Sequence, residues 1–581
     1  MKKIFLLLAL LCTSLTLSAD PIGEARARQI AEEFFSQYST RSAGGAISLT
    51  WAGNTITEPI SSGSELDNAL MYIYKRGENN GFIVVAGDSN VSPIIAYSLD
   101  STIDTNNMAE ATRDILDAWC KQINAARKEE IPLSTPRSAT RSGDELLYET
   151  ALWNQGEPYN REAPIYDGYH CVTGCVATAM SIICYHNRWP ERGIGTTPEY
   201  SYYDRNNVER IIEANTLGRA YNYDNMLLDY NNGYTNEQGD AVAALMKDMG
   251  TSVKMMYHYT ESGAYDINVI HALTTYFGYS KSARMTRRDS YPIDEWNDIM
   301  RDNLRECGPM YYSGGGDVGA HAFVVDGYSY DDYFHFNFGW GGQSNGWFLI
   351  PHIDFYLEQV TILGLTPDRD NSTSYSDTLY LVSLYEEGYL LYRGLQSDAK
   401  KYETGGSYNF GIGGIYNYGA RTFSGDIAVV HCNRNDEWKS VLDTFQLSEL
   451  ATLQFAYKDN LYTITESIES GDCIRIFYRS YDSDEWMIAR RFFESDVDKI
   501  LLAASPKEVS KSLTYHYDKL QQVIYLESPN ALQTELHRPN GSVESLEMVG
   551  HSYLYYIIDS KGEYTLKVRS GGEPYLLKLK F

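Results

Sequence analysis

The sequence predicts an α+β protein carrying appended all-β modules, and three observations support this. Helix and strand periodicities alternate through roughly the first two thirds of the chain. Short alternating strands rich in tyrosine fill the remainder, a pattern of antiparallel β-sandwiches. At 581 residues the chain is also too long for a single hydrophobic core.

The chain opens with "MKKIFLLLALLCTSLTLSAD", two lysines followed by an apolar run and small polar residues. This reads as a secretory signal peptide over residues 1–19, too short to span a membrane as a helix. The later sequence offers no long uncharged apolar run, so no transmembrane helix is expected. Cys12 raises a lipoprotein alternative, ranked second because Leu11 stands where such a signal requires a small side chain. A formal charge of −28 argues against nucleic acid as a partner, since phosphates are bound by clustered cations. The chain is expected to be exported, secreted or at the cell surface.

Residues 20–130 begin with the amphipathic pattern "EARARQIAEEFFSQYS". Strands "ALMYIYKR" and "GFIVVAGD" follow, then a second helix through "ATRDILDAWCKQINAARKEE", so a small α+β domain is expected. The stretch "IPLSTPRSATRSGD", within residues 131–144, is rich in turn-forming residues and cannot bury itself. It predicts an exposed linker and a site for maturation cleavage. Residues 145–365 hold the densest chemistry. From about residue 370, runs such as "TLYLVSLY", "DIAVVHC" and "EYTLKVRS" predict one β-sandwich module over 370–505 and a second β-module over 506–581.

Within the middle domain, "GCVATAMSIICYH" is apolar on nearly every side from Val176 to Ile183, which predicts a helix buried in a core. Thr173-Gly174 supply the turn before it, so Cys175 stands at the helix N-terminus. Unpaired N–H groups and the helix dipole there favour a thiolate and can receive an oxyanion. Eight cysteines minus Cys12 leave an odd number, so at least one thiol stays free or pairs between chains. On the helix alone, a buried cysteine usually reads as inert packing. Cys171, Cys175, Cys184 and His186 lie close in sequence, but their spacing matches no common structural zinc pattern, and no metal is expected.

A thiolate nucleophile needs a base that can also protonate the leaving amine, and histidine is the usual choice. His321 stands out among the eleven histidines, in "GGGDVGAHAFVVDGYSYDDYFHFNFGWGG". Folding this as a hairpin about "SYDD" places His321 opposite the Asn337–Phe338 region. Asn337 is then a partner to hold the imidazole in one tautomer, with Phe338 and Trp340 shielding that bond from water. "FGWGG" also reads as a tight turn with packed aromatics.

Together "TGCVATAMSIICYH", "GAHAFVVDGY" and "HFNFGWGGQSNGWF" resemble the streptopain family of papain-like cysteine peptidases. The likeness covers roughly residues 145–365. It implies a papain-like domain with Cys175 as nucleophile and His321 as general base and acid, and no cofactor. It further implies that residues 20–130 form an inhibitory prodomain covering the cleft, and that the C-terminal modules are additions borne by some members. Two positions depart from the family. Phe338 stands where tryptophan is frequent, keeping a ring but losing its N–H. Papain-like enzymes carry an oxyanion glutamine shortly before the cysteine, where this chain has Gly168 and Tyr169. Gln155 in "WNQGEPYN" is the candidate side-chain donor, and it reads equally well as an exposed loop amide.

The expected function is a secreted cysteine endopeptidase made as a latent zymogen, acting on proteins and peptides through an acyl-enzyme. Two alternatives differ in class: an inactive peptidase-like binding protein presenting adhesive β-modules, and a thiol acyltransferase of transglutaminase type.

Overall fold

The chain falls into two units: Met1–Asp100 with Trp119–Thr140, and Ser101–Ala118 with Arg141–Phe581. The computed structural model describes residues 21–37, 45–127 and 145–502 apart from short breaks, and the strands within 514–580. The signal segment and the expected cleavage linker lie outside the described residues.

In the first unit, helix α1 (Glu24–Gln37) buries Ala27, Ile30, Ala31, Phe34 and Phe35, one stripe at helical spacing. Strands β1 (Ile47–Thr55), β2 (Met71–Arg76), β3 (Phe82–Ala86) and β4 (Ile94–Ser98) pair antiparallel in chain order. Tyr72 and Tyr74 on β2 and Ile83 and Val85 on β3 share one face, which packs with the α1 stripe. Helix α2 (Glu110–Arg127) ends at Arg127, which donates to the Gly87 carbonyl at 2.6 Å and pairs with the buried Asp88. Residues 101–118, including the first half of α2, group with the second unit.

The second unit contains β5 (Leu146–Leu147), α3 (Cys175–Asn187), α4 (Asn236–Ser252), α5 (Ile267–Tyr276), β6 (Arg284–Arg287) and α6 (Ile293–Cys307). Strands β7 (Met310–Gly316), β8 (Gly319–Tyr328), β9 (Tyr333–Asn337), β10 (Gly346–Leu349) and β11 (Leu357–Leu363) follow. They form a sheet in the order β6-β11-β7-β8-β9-β10, with β5 added to β8. Strand alternation turns Tyr311, Ala322 and Val324 into the same core as α3, α4 and α5. The opposite face carries Tyr312 and Phe323, in ring contact with each other, and Tyr312 meets Trp296 of α6. A capping box at Thr235 and Gln238 starts α4.

Beyond residue 370 the predicted strands form two packed, largely antiparallel sheets. Strands β12 (Leu379–Glu386), β13 (Ser407–Asn417) and β16 (Phe455–Thr463) belong to one sheet. Strands β14 (Phe423–Cys432), β15 (Trp438–Leu450) and β17 (Cys473–Ser480) belong to the other. Leu381, Phe410, Ile412, Ile427, Val429 and Ile476 fill the layer between them. This sandwich shares the peptidase-side core through Tyr380, Tyr418 and Phe492. Arg287 is fully buried there, stacked 4.0 Å from the Phe492 ring centre and donating from Nε to the Phe492 carbonyl. The final segment forms a three-stranded and a four-stranded antiparallel sheet.

Candidate active site

Cys175 is the first residue of α3, as the sequence predicts. The turn into the helix requires Gly174, whose φ is +85°; a Cβ there would stand 2.6 Å from the Met255 sulfur. The loop before it is fixed through its backbone. Val172 N–H donates to the His258 carbonyl at 3.1 Å, and Thr173 N–H donates to the Gln155 carbonyl at 3.0 Å. Thr178 Oγ1 donates back to the Gly174 carbonyl at 3.0 Å. From Val176 to Cys184 every α3 side chain is buried, while Cys175 is a reduced and partly exposed thiol.

The neighbouring cysteines differ in chemistry. Burial pushes the Cys184 thiol up to about 12, and it accepts a hydrogen bond from the Tyr279 hydroxyl. Burial likewise pushes Cys171 up to about 11. Both stay protonated at neutral pH, which disfavours either as a nucleophile.

His321 lies on β8 and pairs across the strand with Gly314 of β7. The hairpin turn falls where the sequence places it, but the register differs from the expectation. Asn337 faces Val324, and a shift between Val325 and Gly327 displaces the pairing by one residue. His321 nevertheless reaches past β9, its Nε2 lying 2.8 Å from the Phe338 carbonyl oxygen. Only a protonated Nε2 can donate there, which sets the tautomer. Trp340 meets the ring edge-on, with centroids 6.4 Å apart. The imidazole is 4% exposed, and burial lowers its pKa to about 4 against the opposing pull of the Phe338 carbonyl. It is therefore neutral at pH 7 in this conformation.

Asn337 is engaged elsewhere. Its Nδ2 donates to Thr150 Oγ1 and to the Ala151 carbonyl, each at 2.9 Å, and its Oδ1 accepts from Gly339 N–H. Thr150 in turn donates to the Asp326 carboxylate, whose other oxygen lies 2.5 Å from His335 Nδ1. In this conformation the Phe338 carbonyl, not Asn337, holds the His321 ring. The Phe338 side chain packs among Phe323, Phe336 and Phe348.

The loop after Asn337 joins the histidine to the cysteine helix. Gly339, Gly341 and Gly342 all adopt positive φ, and a Cβ at Gly339 would stand 3.0 Å from Thr178 of α3. Gly341 N–H donates to the Trp153 carbonyl at 2.9 Å. Upstream residues grip the same loop: Ser101 Oγ donates to the Gly342 carbonyl at 2.7 Å, and Ser344 N–H donates to the Thr102 carbonyl at 2.8 Å. On the face carrying Tyr312 and Phe323, Asp114 and Ile115 of α2 border an open pocket also lined by Phe336 and Gln359.

Gln155 is brought beside the loop before Cys175 by its backbone bond to Thr173. Among the described residues no hydrogen bond engages its side-chain amide, which is partly exposed.

Three residues escape the sequence reading. Tyr311 donates to Asp266 Oδ1 at 2.5 Å, and Ser313 donates to Oδ2 at 2.8 Å. The buried Tyr311 phenol is pushed far above its usual range by burial first, then by Asp266, with Cys175 also contributing. Tyr311 therefore lies within electrostatic reach of Cys175. No motif marks Asp266; only the sheet topology brings it there.

Two family models match the chain: the peptidase C10 family over residues 153–348, and the Spi protease inhibitor over residues 19–123. The thiol protease/hemagglutinin PrtT of Porphyromonas gingivalis is 34% identical over 63% of this chain, and the match spans only 44% of PrtT's own length. Streptopain of Streptococcus pyogenes is 31% identical over 50% of this chain and 76% of its own. A prointerpain A fragment from Prevotella intermedia covers 55% of this chain and 99% of its own at 26% identity, with a TM-score of 0.46. With three quarters of streptopain matched and the C10 model spanning both Cys175 and His321, the chain belongs to the peptidase C10, or streptopain, family of cysteine peptidases.

Proposed function

We propose that the protein is exported as a latent precursor and becomes an endopeptidase after cleavage within residues 131–144. Cys175 attacks the scissile carbonyl. His321 removes the thiol proton and later delivers it to the leaving amine, and water then hydrolyses the acyl-enzyme. The Cys175 N–H, with the Gln155 amide, stabilises the tetrahedral oxyanion. The observation that carries this reading is the joining of the two groups by one loop: Cys175 starts α3, and the loop holding His321 lies across the first turns of α3.

Latency rests on the loop that holds His321. In this conformation the imidazole is held through Nε2 by the Phe338 carbonyl rather than by Asn337. Ser101 and Thr102, both upstream of the linker, pin Gly342 and Ser344 of the loop that carries that carbonyl. Cutting the linker turns these contacts into intermolecular ones that dilution weakens. Released, the loop can rearrange around the His321 ring, and Asn337 is the group proposed to orient that ring in the mature enzyme. The test is peptide hydrolysis by precursor and cut protein, with Cys175→Ala as control. Activity on cutting supports the reading; equal turnover before and after cutting contradicts it.

A further inference from the structure

Cys432 and Cys473 play no part in the site described above. Cys432 closes β14, Cys473 opens β17, and the two are directly opposite in the antiparallel register. Both side chains are fully buried. They share a small apolar cluster with Ala428, Val430 and Phe477, separate from the core between the sheets. Their thiols adjoin: a hydrogen bond to Cys473 is the largest influence pushing the Cys432 thiol above its ordinary range, ahead of burial. Two cysteines facing each other in one strand pair, with no intervening side chain, have the arrangement from which a cross-strand disulfide forms.

We propose that Cys432 and Cys473 are a modification site, joined as a disulfide that staples the first β-sandwich in the exported protein. Directly opposite residues have Cβ atoms ~4.5–5.5 Å apart, and a disulfide needs about 3.5–4.5 Å, so the strands close by roughly 1 Å at this pair. The oxidant is an external disulfide, from a small thiol or a protein. One cysteine thiolate attacks it and forms a mixed disulfide, releasing one thiol; the second cysteine displaces the other. Two protons leave the cysteines, one S–S bond forms here, and one is reduced to two thiols in the oxidant.

Losing the S–H groups leaves no charged acceptor stranded. The Cys473 thiol donates to Asp436 Oδ1 at 3.6 Å, but Asp436 also accepts from Arg475 at 2.9 and 3.1 Å and from Lys499 at 3.3 Å. Burial and the nearby Asp436 charge both disfavour a thiolate at Cys432, so exchange there is slow once the strands have closed. The bond therefore forms during folding outside the reducing cytosol. The same burial keeps it from reductants that maintain the partly exposed Cys175 as a thiol. The chain can thus hold an oxidised staple and a reduced nucleophile together. The covalent loop restrains β15 and β16, which lie between the two cysteines in sequence.

The test uses full-length protein recovered from the culture medium, denatured in alkylating agent without reductant, digested and mapped by mass spectrometry. A linked Cys432–Cys473 peptide pair is expected, with Cys175 recovered alkylated. Recovery of both Cys432 and Cys473 as alkylated thiols, or linked to other cysteines, overturns the proposal. Thermal unfolding of Cys432→Ala, Cys473→Ala and the double variant supplies a second readout. A staple is lost entirely with either residue, so each single variant should lower the sandwich Tm by about 5–10 °C and the double variant by scarcely more. Additive losses would show two independently packed thiols instead. Should a variant fail to fold, the peptide map decides alone.

Discussion

Gly174 sets the turn that places Cys175 at the start of α3. Its positive φ and the 2.6 Å approach of a notional Cβ to Met255 leave no room for a side chain. Gly174→Ala is expected to cost about 1–3 kcal/mol of stability and to lower turnover, read by thermal unfolding and peptide hydrolysis. Cys175→Ser should abolish hydrolysis while leaving the fold intact, because the change is nearly isosteric; turnover in a folded variant would remove the thiol from the mechanism. His321→Ala should lower kcat by several orders of magnitude, since nucleophile and base act as a unit. Asn337→Ala should be milder in rate yet also destabilising, as it strips partners from Thr150, Ala151 and Gly339. The helix start at Cys175 and the glycine-rich surroundings of His321 were legible because they are local patterns. The network through Thr150, Asp326 and His335 was not, because residues distant in sequence meet only once β5 joins β8.

In the proposed mechanism the loop following β9 turns these residues into a switch. Burial depresses the His321 pKa to about 4 in the folded precursor, below its ordinary value near 6.5. Between those values the unfolded or released histidine binds more protons than the buried one, so the latent arrangement is favoured above pH ~6.5 and weakens as pH falls towards 4. The precursor should therefore self-cleave faster as pH is lowered through that window, followed by the appearance of a new N-terminus within residues 131–144. A rate that is flat, or that falls with acid while the mature enzyme stays active, would separate His321 from latency. At this scale the turn of the β8–β9 hairpin was visible as "SYDD", whereas the irregularity at Val325–Gly327 has no sequence marker and shifted the register. The buried helix α3 matched its apolar run because a core helix requires no polar face.

Across the whole molecule, tyrosine-rich alternation announced the β-modules correctly but not that the first would share a core with the peptidase part. That union depends on Arg287, Tyr380, Tyr418 and Phe492, none of which stands in a recognisable motif. A chain ending at residue 369 should lose on the order of 5 kcal/mol from exposing the surfaces these aromatics cover, measured by denaturant unfolding of the Cys175→Ala form. An unchanged midpoint would mean that the sandwich is an independent appendage. The central claim is that Cys175 is a nucleophile withheld in the precursor and released by cutting the linker. Labelling with a peptide chloromethyl ketone, located by mass spectrometry, tests it most directly. Stoichiometric labelling of Cys175 in cut protein, and little in intact precursor, is the predicted result. Equal labelling of Cys175 in both forms, or modification of another residue alone, would contradict it.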